Sequence, residues 1–512
     1  MPYHILTFIK DYSESDKSLF FITSENYFGE IDATNIQDLQ GLIITHDYWL
    51  IAQDIYNQCG KLPKRVIDLD ELRSSTSRDP KTRKDREKLD VINYVNRFAP
   101  REHETVSKYK KAFYKEAPVQ LETVHKFHEL MSLYYIELVR RSFITGDFER
   151  FLNIEVPCMN VVQTSGARGV SISNDRLTDY RSEADHQYYC ELQEFSDKYN
   201  TYLEVPSDEE IINHAAKKNV DISSYSIDFI TNYHPNIRDY SEMVLKLRKI
   251  DNSRTILKSI ALRDDKVHPL YDVFGSRTSR IITRNPSLQN LAKRYRDIII
   301  PNAGQQLCYV DYGQFEVGIM AALSDDPELL KLYAKADMYA SFCTDQLEGQ
   351  GTRKAAKILF LAYAYGMKRQ NLTIVAAQHG IDRKVVRAAF KGFTRYEAWK
   401  TEALRNFEQF GFVSTSSGNR FYKKGDEATK KEQLSAISQL VQGEGSLIFK
   451  KTIIEVSKHD DVEILLPMHD AVLFQHARPD TPNNVQNTFE TVMTNHFDGK
   501  VSGKASIGSF LT

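Results

Sequence analysis

The alternation of apolar and polar positions along this chain changes period most clearly near residue 311. Residues 307–310 form an apolar run that predicts a short buried strand, and Asp311 follows it directly. From Gln314 onward, apolar residues recur at helical spacing. Asp311 is therefore expected at a strand-to-helix junction, where its side chain can project into a cleft. Taken alone, an aspartate at such a place is more often a cap or a turn residue.

The segment from residue 353 to residue 367 predicts a helix with one chemically distinctive side. Arg353, Lys357, Leu361 and Tyr365 are four residues apart, and each such step drifts only about 40° around the helix axis. Two cations followed by an apolar and an aromatic residue suit a triphosphate at one end and a base at the other. The plain alternative is a solvated helix face.

Residues 462–474 contain two apolar runs, one on each side of His469 and Asp470. This arrangement predicts a β-hairpin whose short turn presents Asp470. By itself such a turn is ordinary, so its meaning depends on the other two segments.

Together and in this order, the three segments resemble motifs A, B and C of DNA polymerase family A. The family's Asp-Tyr-Ser-Gln-Ile-Glu is present as Asp311-Tyr-Gly-Gln-Phe-Glu316. Its Arg-x3-Lys-x7-Tyr-Gly begins at Arg353, and its His-Asp-Glu is present as His469-Asp-Ala471. Three ordered motifs at these spacings are a specific signal.

The resemblance implies a multidomain α/β and α+β fold, a right-hand polymerase with palm, fingers and thumb. It covers residues 150–512 well and assigns a thumb to 150–266, palm to 267–333, fingers to 334–428 and palm again to 429–512. Residues 1–72 alternate strand-like and helical runs, which is an α/β pattern. Residues 1–149 as a whole resemble the family's 3′-5′ exonuclease domain weakly.

The exonuclease-like region is expected to lack its metal site. Where the family's first strand carries Asp-x-Glu, the segment at residues 21–25 offers Ile22 and Ser24, and a second family carboxylate position is occupied by Ile51. A nearby Asp85-Arg-Glu87 lies in a mixed charge run that is typical of a surface linker. We therefore expect a degenerate domain without proofreading activity.

The resemblance also implies the catalytic chemistry. Asp311 and Asp470 would hold two Mg²⁺ ions, with Mn²⁺ as an alternative, and the backbone carbonyl of Tyr312 would add a ligand. Arg353 and Lys357 would hold the dNTP phosphates, and Lys357 would also protonate the leaving pyrophosphate.

The remaining nucleotide and DNA contacts are carried over by motif position. Glu316 is expected to act as a steric gate against a 2′-OH and to bond to Tyr365, while Leu361 and Tyr339 complete the dNTP site. The expected primer-template contacts are Arg280, Gln289, Asn290, Gln442 and His469, together with Lys246 and Arg254 in a cation-rich thumb segment.

Four positions depart from the family pattern. Gly318 replaces an arginine, Tyr339 a histidine, Ala471 a glutamate and Leu361 an aromatic residue. The first two changes remove cations near the primer or triphosphate, which predicts reduced affinity or rate. Both metal-binding aspartates remain, which favours an active enzyme.

The composition of the chain excludes few classes of protein. The 512 residues are 41% hydrophobic and 27% charged, with a formal net charge of −2, so DNA contacts must come from local clusters. Five scattered cysteines predict reduced core thiols, and no signal peptide or membrane-length apolar run is evident. We expect a monomeric cytoplasmic protein, in a bacterial host if the source is a phage.

Two other functions remain open at this level. A single-subunit RNA polymerase would share Asp311, Lys357 and Asp470, although Glu316 and the Gln-Asn pair at 289–290 favour DNA synthesis. A catalytically silent primer-template binding protein would not need both aspartates and both motif B cations in register.

Overall fold

Five strands from the first 68 residues form one mixed sheet in the order β3-β2-β1-β4-β5. The strands are β1 Tyr3–Lys10, β2 Ser18–Ser24, β3 Tyr27–Ile31, β4 Leu42–Thr45 and β5 Val66–Asp68. β1 is antiparallel to β2 and parallel to β4, and its central residues are buried. The alternating α/β pattern predicted for this region is therefore confirmed.

The helices of this region pack around the sheet and continue to residue 145. They are Ala33–Ile36, Ala52–Cys59, Leu69–Thr76, Val91–Phe98, His103–Phe113 and Leu121–Thr145. The computed structural model describes residues 2–10, 18–77, 91–222 and 235–511. Within those ranges, no helix combines the length and apolar character needed to cross a membrane.

The strand assignment behind the degenerate exonuclease prediction needs correction. Ile22 and Ser24 lie on β2, the second strand, whereas the first strand is β1, an apolar run that also carries no carboxylate. Ile51 is fully buried next to the helix Ala52–Cys59. The segment Asp85-Arg-Glu87 lies outside the described residues.

An arm with its own small core is formed by two long antiparallel helices and one short helix. The long helices are Asn174–Tyr199 and Arg238–Ser259, and the short one is Asp208–Lys217. Its outer half buries a separate apolar cluster that includes Phe195, Ile211 and Leu247. Its base joins the main core through residues such as Leu177 and Leu257.

A four-stranded antiparallel sheet, β13-β14-β10-β15, lies at the centre of the C-terminal half. The strands are β10 Gln306–Tyr312, β13 Glu463–Met468, β14 Ala471–His476 and β15 Ala505–Gly508. Helices Lys430–Val456 and Thr481–His496 pack on this sheet. The predicted strand at 307–310 and the predicted hairpin at 462–474 are both confirmed.

Between β10 and the helix Lys430–Val456 the chain is mostly helical. These helices are Phe315–Ser324, Pro327–Ala334, Met338–Ser341, Arg353–Ala364, Arg369–Gln378, Arg383–Ala389 and Thr394–Phe410. They end in a two-stranded hairpin, β11 Phe412–Ser414 and β12 Arg420–Tyr422.

Short elements connect the N-terminal sheet, the arm and the four-stranded sheet. They are helices Phe148–Arg150 and Val156–Arg168 and strands β6 Val170–Ser171, β7 Lys266–Val267, β8 Leu270–Asp272 and β9 Ile282–Arg284.

Two buried polar contacts join distant parts of the chain. Glu71 accepts hydrogen bonds from the backbone N–H groups of Val273 and Phe274 at 3.1 and 3.2 Å. Lys450 donates to Glu155 at 2.6 Å, with both side chains almost fully buried.

The cysteine prediction holds in part. All five cysteines are free, and Cys158 and Cys308 are buried. Cys190 is exposed on the arm helix Asn174–Tyr199, so the prediction of a core thiol is wrong for this residue.

Candidate active site

Two carboxylates meet at one end of the four-stranded sheet. Asp311 is the penultimate residue of β10, where it pairs with Ala471 of β14. Asp470 lies in the tight turn between β13 and β14, and its carbonyl accepts a hydrogen bond from the N–H of Tyr312 at 3.2 Å. His469, in the left-handed region at φ 63°, completes the turn. Sheet register therefore brings Asp311 next to the turn that carries Asp470, close enough for the two carboxylates to interact electrostatically.

Both carboxylates lie in an environment that disfavours their negative charge. Burial, followed by the nearby Asp470, raises the pKa of Asp311 to about 7, against the opposing effect of Lys357. Burial also raises the pKa of Asp470, with Arg280 acting in the opposite direction. Oδ1 of Asp311 is buried and has no hydrogen-bond partner among the described residues. An added cation would relieve this electrostatic cost.

The donor set fits a hard divalent cation that shares its coordination with a substrate. No group of three or more His, Cys, Asp or Glu side chains suited to a metal occurs among the residues that the structure describes. Mg²⁺ commonly takes one or two carboxylates and completes its shell with water and substrate phosphates. Asp311, Asp470 and the Tyr312 carbonyl match that pattern, whereas a closed protein-only site does not.

The helix Arg353–Ala364 presents the predicted side toward solvent. Its N-cap Thr352 accepts a hydrogen bond from the N–H of Ala355, which fixes the first turn. Arg353 and Lys357 are exposed, and Leu361 is half-buried farther along the same side. Buried apolar residues on the opposite side anchor the helix in the main core, which leaves the cationic side free to contact a ligand.

Asp337 and Tyr339 hold the two cations of this helix. Arg353 Nε donates to Asp337 at 2.5 Å, and the Arg353 guanidinium carbon and Lys357 Nζ each lie 5.7 Å from the centroid of the Tyr339 ring. Asp337 also caps the helix Met338–Ser341 by accepting from the N–H groups of Tyr339 and Ala340. The sequence prediction gave Asp337 no role, although an acidic residue just before a short helix is a capping signal.

Glu316 lies between the carboxylate pair and the helix Arg353–Ala364. Its Oε1 accepts from Arg280 at 3.3 Å and from Gln442 at 3.4 Å. Burial and then the Glu316 carboxylate raise the pKa of Tyr365, but the Tyr365 hydroxyl makes no hydrogen bond of standard geometry. A hydrogen-bonding contact with Glu316 nevertheless contributes to that shift, so Tyr365 lies against Glu316 as expected, in a looser geometry, while Arg280 and Gln442 donate to the same carboxylate.

Gln289 does not face the cleft as predicted. It is 4% exposed, and its amide nitrogen donates to the carbonyls of Ile281 and Pro467 at 3.3 and 2.7 Å. Its amide oxygen accepts from the N–H of Thr283, so the side chain is fully used within the protein. Asn290 is exposed and bonds only to the nearby Ser287. Gln289 is thus a structural residue that fixes the segment carrying Asn290.

The cations predicted to track phosphates on the arm are paired within the protein. Lys246 contacts Glu191, and Arg254 Nε lies 2.5 Å from Asp185. These carboxylates belong to the facing helix Asn174–Tyr199, so the sequence around residues 246–263 gave no sign of them. Each of the two cations is therefore held by a carboxylate in the protein without DNA, and the expected contact of Lys246 and Arg254 with phosphates stays a prediction.

Gly318 is packed too tightly for the arginine of the family pattern. A Cβ at this position would lie 2.6 Å from both Tyr333 and Met493. Lys504 Nζ lies 4.5 Å from the Tyr333 ring centroid and donates to the carbonyls of Tyr333 and Lys335. Tyr333 and Met493 therefore fill the space that an arginine would need at position 318.

Solved structures and curated sequences place the chain among known proteins. The polymerase domain of Pol1 from M. smegmatis, solved in complex with DNA primer-template and dNTP, aligns with a TM-score of 0.75 over 99% of this chain and 94% of that chain, at 17% identity. This likeness establishes the right-hand polymerase fold. DNA polymerase theta of Caenorhabditis elegans is 28% identical over 45% of the chain, and DNA polymerase I of Deinococcus radiodurans is 24% identical over 70%.

The chain spans only part of these curated relatives, 15% of the first and 41% of the second. A sequence profile described as DNA polymerase family A matches residues 207–509, which is more than half of the chain and includes all three motifs. The chain therefore belongs to DNA polymerase family A.

Proposed function

We propose that this protein is a DNA-directed DNA polymerase that extends a primer 3′ end with dNTPs. The observation that carries the proposal is the position of Asp311, paired with Ala471, next to the turn that holds Asp470, in an environment that disfavours two unneutralised charges. A cationic helix side, with Arg353 and Lys357, belongs to the same electrostatic environment, since Lys357 opposes the pKa shifts of both carboxylates. Carboxylates for metal ions and cations for phosphates are the elements that phosphoryl transfer requires.

Asp311 and Asp470, with the Tyr312 carbonyl, would hold two divalent ions, Mg²⁺ or alternatively Mn²⁺. Such ions lower the pKa of a primer 3′-OH and neutralise charge on the transferring phosphate. The raised pKa of Asp311 implies that metal binding displaces a proton near neutral pH.

Arg353 and Lys357 would bind the triphosphate and stabilise the charge that grows on it during transfer. Lys357 Nζ is also the group that would give a proton to the departing pyrophosphate. Tyr339 and Asp337 restrict both cations before the substrate arrives, and this lowers the entropy cost of binding.

Glu316 would exclude ribonucleotides. Its carboxylate accepts hydrogen bonds from Arg280 and Gln442 and lies against the Tyr365 hydroxyl, so the gate would be held in place before a nucleotide binds. Arg280, Gln442, Asn290 and His469 would lie along that DNA, where a donor can test base-pair shape without reading sequence.

We extend the proposal to organisation and context. Residues 1–149 would be an exonuclease-like domain without proofreading, followed by a thumb at 150–266, a palm at 267–333 and 429–512, and fingers at 334–428. Carboxylates are missing from β1 and from position 51, and no metal-dependent shortening of a mismatched primer is expected. A monomer acting in the bacterial cytoplasm, encoded by a phage, is the setting we favour.

Primer extension on gapped and flapped templates, with an end-labelled primer, tests the proposal. Asp311→Asn and Asp470→Asn should each abolish extension while leaving primer-template affinity within about threefold, because neutral amides keep the shape but not the metal ligand. Asp345→Asn, at an exposed aspartate on a neighbouring helix, is the matched control and should extend normally. Normal extension by either active-site variant, or preference for rNTPs over dNTPs in the wild type, would overturn the assignment.

A further inference from the structure

Tyr309 projects from the same face of the four-stranded sheet as Asp311. Alternate residues of a strand point to the same face, and Tyr309 precedes Asp311 by two positions on β10. The residue between them and Tyr312 point to the opposite face, where the hydroxyls of Tyr312 and Thr452 share a hydrogen bond at 2.6 Å. Thr452 belongs to the helix Lys430–Val456, which covers that opposite face. Tyr309 and Asp311 therefore point together, away from this helix.

The neighbouring strands carry small residues beside these two side chains. Ala471 of β14 is paired with Asp311, at the position where the family pattern has a glutamate. Gly508 of β15 is paired with Tyr309, and a Cβ on Gly508 would lie 3.3 Å from Cδ1 of the Tyr309 ring. The ring therefore lies across Gly508. The sheet lacks the family's carboxylate next to Asp311 and has a phenol group two residues away on the same face.

Phe510 and Arg296 hold the Tyr309 ring in place. The ring centroids of Tyr309 and Phe510 are 5.9 Å apart, and the guanidinium carbon of Arg296 lies 5.0 Å from the Phe510 centroid. Arg296 donates to the carbonyls of Leu291 and Phe510 at 3.1 and 3.2 Å, so its hydrogen-bond partners are neutral carbonyls. Tyr309 and Arg296 thus lie against the same aromatic ring.

The Tyr309 hydroxyl is a hydrogen-bond donor close to the two catalytic carboxylates. Burial, followed by the charges of Asp311 and Asp470, raises its pKa to about 12, and Arg296 opposes that shift. The hydroxyl therefore lies within electrostatic range of the carboxylate pair and stays protonated near neutral pH. Tyr309 is half-buried, and its hydroxyl makes no hydrogen bond with another described residue. This donor is available to a ligand.

A primer strand that brings its 3′-OH to metal ions at Asp311 would pass close to Tyr309. Two residues along β10 correspond to about 7 Å, and one strand of a duplex places a phosphate about every 3.4 Å along the helix axis. The first phosphodiesters upstream of the 3′-OH therefore fall within reach of the Tyr309 side chain. Tyrosine hydroxyls donate to phosphate oxygens in protein–DNA complexes, and the negative charge of the acceptor strengthens such a bond.

We propose that the Tyr309 hydroxyl donates a hydrogen bond to one of the first three phosphodiesters of the primer strand, with Arg296 beside it, and so positions the 3′-OH for attack. The inference rests on the proposed DNA synthesis and adds a primer contact that lies outside the three motifs. Because Tyr309 would touch the primer and not the incoming nucleotide, its removal should change DNA affinity and transfer rate while dNTP affinity stays the same.

Combining Tyr309→Phe with neutral primer phosphates tests the contact. Phenylalanine keeps the ring that packs on Gly508 and Phe510 and lacks only the hydroxyl. Each primer carries a single methylphosphonate at the first, second or third phosphodiester from its 3′ end, and fluorescence anisotropy measures primer-template affinity without dNTP. At one of these positions the methylphosphonate should weaken wild-type binding at least fivefold and Tyr309→Phe binding less than twofold, as a double-mutant cycle shows for two groups in contact.

A protein control and a DNA control accompany this cycle. Tyr27→Phe, at an exposed tyrosine of the N-terminal sheet, should respond to each methylphosphonate as the wild type does. Methylphosphonates in the template strand should weaken the wild type and Tyr309→Phe by the same factor. Additive effects at all three primer positions would overturn the contact, and coupling to template phosphates alone would overturn its assignment to the primer.

Single-turnover incorporation tests the positioning role. With saturating DNA and dNTP, Tyr309→Phe should react at least threefold more slowly than the wild type, with an apparent dNTP Kd within twofold. An unchanged rate would overturn the positioning of the 3′-OH. A wild type that extends no primer would overturn the proposed function instead, and the binding cycle, which needs no catalysis, would still decide whether Tyr309 contacts the primer.

Discussion

The raised pKa of Asp311 should make the stability of the folded protein depend on pH. Its pKa is raised from 3.8 to about 7, so the folded state keeps a proton that the unfolded state releases. Linkage then makes stability fall as the pH rises from about 4 to about 7, with the full loss present above that window.

The substitution Asp311→Asn removes the ionisable group, and with it the stability that is lost when Asp311 ionises in the folded state. At pH 8 without divalent metal we expect the variant to be more stable than the wild type by about 1–2 kcal/mol, allowing for partial solvent screening, with a difference near zero at pH 4. Denaturant unfolding at the two pH values measures this. Millimolar Mg²⁺ should stabilise the wild type and not the variant, and an identical difference at both pH values would contradict the expectation.

Glu316 should determine sugar selection. Glu316→Ala opens space beside the nucleotide, so the ratio of rNTP to dNTP kcat/KM should rise by about tenfold or more. Glu328→Ala, at an exposed glutamate one helix away, is the control and should leave the ratio unchanged. An unaltered ratio in Glu316→Ala would mean that the carboxylate serves only to hold Arg280 and Gln442.

At the scale of elements, the helix Arg353–Ala364 presents an aliphatic side chain where the family pattern has a ring. Leu361 is half-buried on the open side, whereas Phe360 is 1% exposed and packs against Phe342. Stacking on a base is worth roughly 1–3 kcal/mol in single-strand binding proteins. Leu361→Phe should therefore tighten dNTP binding by about fivefold or more.

Single-turnover incorporation measures this gain in dNTP affinity. Leu330→Phe introduces the same ring at a half-buried leucine of another helix, Pro327–Ala334, and is the matched control. Equal affinities for the wild type and Leu361→Phe would show that position 361 does not contact the nucleotide.

Local elements could be predicted from the sequence, and long-range pairings could not. The strand before Asp311, the helix from Arg353 and the hairpin around Asp470 follow from the period of apolar residues within each segment. Gln289 was misassigned because one of its partners, the Pro467 carbonyl, lies 178 positions away. The ion pairs of the arm cations could not be predicted, because Asp185 and Glu191 belong to a different helix.

At the scale of the whole molecule, a buried ion pair ties the segment before the helix Val156–Arg168 to the helix Lys430–Val456. Lys450 reaches Glu155 at 2.6 Å, and both side chains are at most 4% exposed. Without Lys450 the buried Glu155 keeps only the longer contact with Arg150, at 3.5 Å, so Lys450→Met should cost about 3 kcal/mol of unfolding free energy.

Lys450→Met combined with Glu155→Leu should recover most of that loss, because the buried carboxylate is removed as well and Arg150 keeps Asp147 as its partner at 2.7 Å. Denaturant unfolding of the four proteins in a double-mutant cycle measures the coupling. Lys451→Met, the neighbouring residue outside the pair, is the control. Additive effects of the two substitutions would show that the charges do not act on each other.

The separate apolar cluster in the outer half of the arm has a consequence for how the protein opens. A region with its own core can lose and regain structure without disturbing the rest, in the manner of an independent folding unit. Amide protons around Phe195 and Leu247 should therefore exchange with deuterium through local openings. Those around Leu177 and Leu257, which belong to the main core, should exchange only when the whole polymerase unfolds. DNA that contacts the outer arm would slow amide exchange around Phe195 and Leu247 selectively.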